Sequence, residues 1–257
     1  MSTNTEKKAK SKTTIVLSAI LVLLVLFALT VYVAIPAYRH YYVTHIQYPI
    51  YGGMTEELKD SGFFKDMTSG KSICFLGDSI TAGNEIEGIN WYYPLIPYIK
   101  GNISNDSCGG WMVYHLIKDA DNIPTSDIYV IAIGVNDILF TNSVHSAKTT
   151  ADYTSRLDEL TQMLKTKAPG AEFYFITPWT FHNQEELYNS RAVDFRAALV
   201  KWCDENDYNC INPDPVLVSV FKEKGTSDYM KDSFHPNAPN GVGLYSYAIL
   251  KAAQNQE

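Results

Sequence analysis

Ser79, Asp232 and His235 are the residues whose types and spacing best fit nucleophilic chemistry. A serine hydroxyl is a weak nucleophile until a neighbouring base accepts its proton, and that base is usually a histidine held by a carboxylate. Of the six histidines, only His235 has an aspartate three residues before it, Asp232. Pro236 follows and favours a turn, because the residue before a proline is pushed out of the α region. The segment therefore predicts a carboxylate–imidazole pair that can activate Ser79.

Nucleophilic attack on a carbonyl also needs N–H donors aimed at the oxyanion that develops. The sequence offers the amide of Ser79, the amide of a glycine in NDSCGGW, and the side chain of Asn136. We assign the glycine to Gly110, with Gly109 as the alternative, because a residue without a side chain lets the backbone approach a substrate. Taken alone, Asn136 fits a turn equally well. Asp78 is predicted to cap or brace the turn before Ser79 rather than to react.

Short apolar runs alternate with amphipathic segments along the chain. Strand-length runs occur at 72–77, 102–105, 127–134, 171–177 and 208–212, and apolar side chains recur with helical spacing within 149–170, 185–206 and 241–254. Strands that alternate with helices predict a parallel sheet covered on both faces. Ligands of such sheets bind beyond the carboxyl ends of the strands, so the polar residues that follow each run are expected to share one edge.

These motifs resemble those of the GDSL/SGNH hydrolase family. FLGDSITAG is similar to the family's first block, IAIGVNDI to its third and DSFHPN to its last, whereas the double-glycine stretch is the loosest match. The resemblance covers about residues 71–250 and implies a three-layer α/β/α, flavodoxin-like fold with about five parallel strands. It also implies a serine esterase in which Ser79, His235 and Asp232 form a triad, with Ser79, Gly110 and Asn136 as oxyanion donors and no cofactor or metal.

The N-terminal part predicts a membrane anchor. Residues 15–35 carry no charge, and 21 helical residues span about 30 Å, the thickness of a bilayer core. A signal peptide is the alternative, although its apolar core is usually only about 7–15 residues long. Four lysines precede the run and a single arginine closely follows it, so the N-terminus should be cytoplasmic and the remainder extracytoplasmic. The predicted divisions are a tail (1–14), an anchor (15–36), a stalk and arm (37–70) and a hydrolase domain (71–257).

Charge and cysteine content restrict the partners. Residues 1–44 hold five of the 21 Lys and Arg but only one of the 28 Asp and Glu, so the rest of the chain is strongly acidic. An acidic domain is a poor ligand for nucleic acid or anionic lipid. Cysteines outside the cell can be oxidised, and Cys203 and Cys210, at a helix end and the next strand, suit a local disulfide. Cys74 and Cys108 are expected to be free thiols.

The substrate is less closely specified than the reaction. The resemblance implies esters broadly, and an outer-surface location favours an acylated carbohydrate, so we expect hydrolysis of an O-acetyl ester. Trp179 and His182 follow the fourth strand and are candidates for substrate binding, although core packing suits Trp179 at least equally well. Three alternatives stay open: an O-acyltransferase with the same triad, a non-catalytic surface binding module, and metal-dependent phosphoester hydrolysis.

Overall fold

The computed structural model describes residues 2–42, 48–84, 88–182 and 186–254, and the chain divides into two compact units, 1–46 and 47–257. The first unit is helical. Its elements are α1 (Ser2–Leu29), a π-helical turn (Thr30–Ala34) and α2 (Ile35–Tyr42). The Ile35 N–H donates to Thr30 O, five residues back, directly before Pro36, which has no N–H to donate.

The apolar part of this helix, Ile15–Tyr38, has a mean hydropathy of 2.9 and is long enough to cross a bilayer. A membrane anchor and a signal sequence share these properties. Residues 43–47 of the predicted stalk lie outside the described residues.

The second unit is built on a five-stranded sheet. Its strands are β1 (Ile73–Gly77), β2 (Ile103–Ser107), β3 (Ile128–Ala132), β4 (Glu172–Ile176) and β5 (Asn209–Ile211). All neighbouring strands are parallel, and their order is β2-β1-β3-β4-β5. The chain thus moves to one edge after β1 and then crosses to the other side, which places the topological switch point between β1 and β3. The predicted parallel α/β/α architecture is confirmed.

Helices cover both faces of this sheet. They are α3 (Glu56–Lys59), α4 (Gly62–Met67), α5 (Ser79–Ala82), α6 (Val113–Asp119), α7 (Val135–Leu139), α8 (Thr150–Lys167), α9 (Glu186–Asn206), α10 (Asp214–Lys224) and α11 (Asn240–Gln254), with a 3₁₀ helix at Tyr93–Tyr98. Side chains along each strand alternate between two separate cores. In β3, Ile128 and Val130 join the core that includes α11, and Tyr129 and Ile131 join the core that includes α8. This two-sided burial explains why the strands are continuous apolar runs.

The segment 48–70, assigned above to the stalk and arm, contributes to the first of these cores. Thr55 caps α3 by accepting the Leu58 N–H, and Ser61 caps α4 by accepting the Phe64 N–H. Leu58 and Phe64 are buried together with Phe63 and Met67. The hydrolase unit therefore begins before residue 71, with two helices too short to show helical periodicity in the sequence.

All four cysteines are free thiols in this structure. Cys203 in α9 and Cys210 in β5 are both buried. The interaction with the Cys210 thiol, together with burial, holds the pKa of Cys203 well above its usual value. The predicted proximity of Cys203 and Cys210 is therefore present, whereas the disulfide between them is not formed.

Candidate active site

Ser79 lies directly beyond the carboxyl end of β1, where it begins the short helix α5. Asp78 caps this helix, because its Oδ1 accepts the Ile80 N–H at 3.1 Å. Gly77 is required before it, since a Cβ there would lie 2.4 Å from the backbone oxygen of Ala132 in β3. The sequence Gly-Asp-Ser thus lets β1 pass close to β3, caps α5 and leaves the serine at the edge of the sheet.

Ser79, His235 and Asp232 form one hydrogen-bonded chain. Ser79 Oγ lies 2.8 Å from His235 Nε2, and His235 Nδ1 lies 2.7 Å from Asp232 Oδ2. Ser79 is 6% exposed and His235 is 8% exposed, so both side chains meet out of bulk solvent. The arrangement places a base against the hydroxyl and a carboxylate behind the base.

Asp232 also holds the loop that carries the imidazole. Its Oδ1 accepts the backbone N–H of Phe234 at 3.0 Å and that of His235 at 2.8 Å, which leaves Oδ2 facing the ring. Partial burial acts to raise the pKa of Asp232, but these hydrogen bonds and the His235 ring outweigh it and hold the pKa below its usual value. The Asp-x-x-His spacing therefore forms the tight turn expected from the sequence.

The three predicted oxyanion donors follow β1, β2 and β3, which are neighbours in the sheet. Among the described residues, the backbone N–H groups of Ser79 and Gly110 have no hydrogen-bond acceptor, and Asp78 Oδ1 accepts the N–H of Ile80 rather than that of Ser79. Asn136, in α7, is 4% exposed, and its Nδ2 donates to Trp111 O at 2.9 Å. This bond uses only one of the two N–H bonds of the amide.

The two glycines after β2 have different structural roles. Gly110 has a φ of +77°, in the left-handed region that glycine adopts readily, and a Cβ there would meet nothing within 4 Å. A Cβ at Gly109 would instead lie 3.9 Å from Ser79 Cβ. The missing side chain that leaves space beside the nucleophile is therefore that of Gly109. The amide donor at Gly110 stays a prediction.

The structure contradicts the predicted substrate contact of Trp179. This side chain is 2% exposed and packs between Trp91, at a ring distance of 6.4 Å, and Tyr245, at 4.9 Å. Its indole has no free face for a sugar because α11 folds over the loop after β4 and covers it.

His182 is half-buried, with its ring 4.1 Å from that of Phe221. Its backbone N–H donates to Ser233 O at 2.6 Å and so supports the Asp232–His235 loop. Its side chain lines a cavity of about 390 Å³ between α9 and α10. Burial lowers the pKa of His182 to about 4, so the imidazole is neutral. Its predicted role in substrate binding stays a prediction.

Asp137 holds the helix that carries Asn136 in place, a role that the sequence did not predict. It is fully buried one position after Asn136 and accepts the backbone N–H of Val113 at 3.3 Å and of Ala147 at 2.7 Å. Asp137 thereby joins α7, which carries Asn136, to the start of α6 and to the loop before α8. The only indication of this role in the sequence is an acidic residue directly after Asn136, and such a residue is equally typical of a solvent-exposed turn.

Two buried carboxyl groups lie behind the nucleophile. Burial raises the pKa of Asp78 to about 7; the Ile80 N–H opposes this shift and the charge of Asp137 adds to it. Burial likewise raises the pKa of Asp137 to about 6, against the hydrogen bonds from Ala147 and Val113. Among the described residues, Asp78 Oδ2 has no hydrogen-bond partner. A protonated Asp78 relieves the cost of burying an unpaired charge.

We expect the stability of the protein to depend on pH through Asp78. Its pKa is raised on folding, so the folded state binds the proton more tightly, and stability falls as the pH rises from about 4 to about 7. Asp78→Asn removes this titration but keeps an oxygen for the Ile80 N–H. The wild type should lose of the order of 2 kcal/mol more than the variant across this range. Denaturant unfolding at a series of pH values measures both; parallel profiles would contradict the assignment, since Asp137 titrates in each.

Comparison with known proteins agrees with this architecture. A sequence model of the GDSL-like lipase/acylhydrolase family matches residues 75–239, more than half of the chain. No curated protein sequence matches the chain.

Solved structures resemble the fold at low sequence identity. A candidate GDSL-like lipase from Parabacteroides merdae has a TM-score of 0.62 at 21% identity, covering 73% of this chain and 97% of its own. The acetylxylan esterase Axe2 from Geobacillus stearothermophilus has a TM-score of 0.62 at 16% identity, covering 73% and 95%. A member of the lipolytic G-D-S-L family from Veillonella parvula has a TM-score of 0.59 at 19% identity, covering 70% and 96%. The chain belongs to the GDSL-like lipase/acylhydrolase family and is an esterase of that family.

Proposed function

We propose that this esterase is a membrane-anchored serine hydrolase that removes O-acetyl groups from extracytoplasmic carbohydrate. The observation that carries the proposal is the chain of contacts from Ser79 Oγ to His235 and on to Asp232, at 2.8 Å and 2.7 Å. These distances lie within hydrogen-bond reach, which is what a nucleophile, its base and the group that orients the base require.

In this mechanism Ser79 Oγ attacks the ester carbonyl carbon while His235 Nε2 accepts the hydroxyl proton. The oxyanion that forms accepts hydrogen bonds from the amides of Ser79 and Gly110 and from Asn136 Nδ2. His235 then returns the proton to the leaving sugar oxygen, which breaks the ester and leaves Ser79 acylated. A water molecule, deprotonated by His235, attacks the acyl group and releases the acid. Asp232 stays ionised throughout and stabilises the imidazolium.

Two observations support the substrate and the location. The solved structures that share the fold include an enzyme described as an acetylxylan esterase. Acetylxylan is a polysaccharide that carries acetyl groups. The apolar helix Ile15–Tyr38 follows a lysine-rich segment, which favours a cytoplasmic N-terminus and an external hydrolase unit. Substrates for a tethered esterase are then the acylated glycans outside the membrane.

The test is release of acetate by the full-length chain in detergent micelles, from p-nitrophenyl acetate and from acetylated xylan, with and without a chelator. We expect acetate from both substrates and no effect of the chelator. Loss of activity with the chelator would favour the metal-dependent alternative. Transfer of acetyl to an added sugar in place of acetate release would indicate an acyltransferase, and binding of acetylated xylan without turnover would indicate a binding module.

The anchor is tested separately by the mass of the protein isolated from the membranes of an expressing bacterial host. A retained N-terminal helix, with the hydrolase unit degraded by protease added outside intact cells, is the expected result. A chain that has lost its first helix would identify a cleaved signal sequence.

We expect Asn136→Ala to reduce kcat by about 10²–10³, because the oxyanion loses a preorganised donor. Asn122→Ala is the matched control: Asn122 is exposed after α6, and among the described residues its Nδ2 donates only to Asp119 Oδ1, at 2.7 Å. Initial rates with p-nitrophenyl acetate measure the loss of kcat, and the melting temperature of each variant shows whether it is folded. Near wild-type kcat in a folded Asn136→Ala protein would show that the amide serves only to hold Trp111 O.

A further inference from the structure

Four aromatic side chains form a cluster that begins beside the oxyanion donors. Trp111, Tyr114, His115 and His145, together called the ring array, come from the loop after β2, from α6 and from the loop after α7. Trp111 directly follows Gly109-Gly110, and its carbonyl oxygen accepts the Asn136 Nδ2–H at 2.9 Å. The first member of the array is therefore joined by a hydrogen bond to a group that we place in the active site.

The rings lie in a continuous series of contacts. Trp111 is nearly parallel to His115, with ring centres 6.4 Å apart and an interplanar angle of 11°. His115 meets His145 edge to face at 5.4 Å, and His145 stacks on Tyr114 at 4.3 Å and 19°. Each ring of the array thus contacts the next, in the order Trp111, His115, His145 and Tyr114.

Backbone and charged groups hold these rings in place. His115 Nδ1 accepts the Met112 N–H at 3.0 Å, so its proton lies on Nε2 and remains available as a donor. Burial, and then the neighbouring His145, lower the pKa of His115, which keeps that imidazole neutral. On the other side, Arg156 donates to the His145 carbonyl oxygen and is paired with Asp152 at 2.8 Å. The surface is therefore preorganised.

The array is accessible, and both charged and apolar side chains lie near it, since Lys118 Nζ is 5.7 Å from the centre of the Tyr114 ring. All four side chains are only half-buried. Phe140 is 53% exposed and Val144 is 83% exposed, and both belong to the segment between Asn136 and His145. Exposed apolar residues that cluster beside a reactive site commonly mark a binding surface. None of these side chains has a part in the mechanism given above.

We propose that the ring array is the carbohydrate platform of this enzyme, on which the sugar chain lies while one of its acyl groups is held at Ser79. This inference rests on the proposed esterase function and adds the residues that recognise the substrate. Aromatic rings offer flat apolar faces to the C–H groups of a sugar. The indole N–H, the phenol hydroxyl and the imidazole N–H at their edges can pair with sugar hydroxyls.

A long acyl chain would fit this surface less well. Ligand sites for purely apolar groups are concave and mainly aliphatic or aromatic, with few polar atoms. Each of the four rings of the array instead carries a polar atom at its edge, which an acyl chain would leave unpaired at a cost. The chemistry of the array therefore favours the sugar portion of an acylated glycan over its acyl portion.

The test compares Trp111→Ala and Tyr114→Ala with the wild type in the full-length chain. Three substrates are used: an acetylated xylo-oligosaccharide, p-nitrophenyl acetate and p-nitrophenyl octanoate. We expect the ratio of kcat/KM for the oligosaccharide to kcat/KM for p-nitrophenyl acetate to fall about tenfold in each variant, mainly through KM. Trp111→Phe should restore most of the ratio, because a flat ring is retained.

Tyr208→Ala is the control for the loss of a half-buried aromatic side chain. Tyr208 directly precedes β5 at the opposite edge of the sheet, where it packs against Trp202 and Phe175. This variant should keep the wild-type ratio between the two acetate esters. An unchanged ratio in both array variants, or a selective loss of activity on the octanoate ester, would overturn the proposal.

A binding measurement distinguishes a failure of the carbohydrate platform from a failure of the proposed esterase function. In Ser79→Ala chains, which cannot form the acyl-enzyme, titration calorimetry with the acetylated xylo-oligosaccharide should give a Kd about tenfold weaker when Trp111→Ala is added. If the wild type hydrolyses no ester but this difference is found, the esterase mechanism fails and the carbohydrate platform stands. If Ser79-dependent hydrolysis is found and Kd is the same in both chains, the platform alone fails.

Discussion

Ser79→Ala should lower kcat for p-nitrophenyl acetate by at least about 10⁴-fold, the largest effect expected from any single substitution in this chain. The reason is that the alanine variant has no atom to form the acyl-enzyme, so only orientation and oxyanion stabilisation remain. The substitution removes one oxygen from a side chain that is 6% exposed, and among the described residues the hydrogen bond with His235 is the only one that the hydroxyl loses. The melting temperature should therefore change little while turnover disappears.

Ser72→Ala is the matched control for that measurement. Ser72 directly precedes the same strand at its other end, where its Oγ donates to Asp127 Oδ2 at 2.7 Å. Ser72 Oγ also accepts the Asp127 N–H, so the variant tests the loss of a serine hydroxyl and its hydrogen bonds far from the reactive edge, and it should retain the wild-type kcat. Retention of activity by a folded Ser79→Ala protein would mean that another group attacks the ester. The assignment of Ser79, His235 and Asp232 as the catalytic residues would then be wrong.

The features that local sequence predicts correctly are those set by neighbours along the chain. β3 is a continuous apolar run because its alternate side chains enter two cores, and such a run is visible in the sequence. Asp78 caps α5 through its own turn, and Asp232 reaches the His235 ring and two nearby amides within four residues. Because these contacts are local, the positions of Ser79 and the Asp-x-x-His turn could be inferred before the fold was known.

Features that depend on distant packing could not be inferred in this way. Trp111 and Trp179 both lie in loops that follow strands, and nothing beside either one in the sequence distinguishes them. Trp179 is covered because Tyr245 of α11 packs on it, whereas Trp111 stays half-exposed beside His115. The contact of His115 with His145 joins α6 to the loop after α7, and the raised pKa of Asp78 arises from burial that only the complete fold produces.

Asp232→Asn should lower kcat by about 10⁴-fold although the side chain keeps its size. In the wild type, Asp232 Oδ1 accepts the two backbone N–H groups of Phe234 and His235, and Oδ2 faces His235 Nδ1. An asparagine keeps its oxygen on those amides and so presents its NH₂ group to the ring. Nδ1 must then accept that hydrogen bond, which puts the ring proton on Nε2, opposite Ser79 Oγ. The base is still in place, but it can no longer accept the serine proton.

A loss of activity with an unchanged fold is what distinguishes this effect from damage to the loop. Asp228→Asn is the control, because Asp228 is exposed four residues earlier in the same loop. Equal melting temperatures for the two variants, with kcat lost only in Asp232→Asn, would locate the defect in the imidazole tautomer. If Asp232→Asn is as active as the wild type, the ring must be oriented by its backbone alone. The candidates for that role are the Lys231 N–H bond to His235 O at 2.9 Å and the Tyr245 hydroxyl on Phe234 O at 3.3 Å. In that case the carboxylate would stabilise the loop without contributing to proton transfer, and the catalytic unit would be a Ser79–His235 dyad.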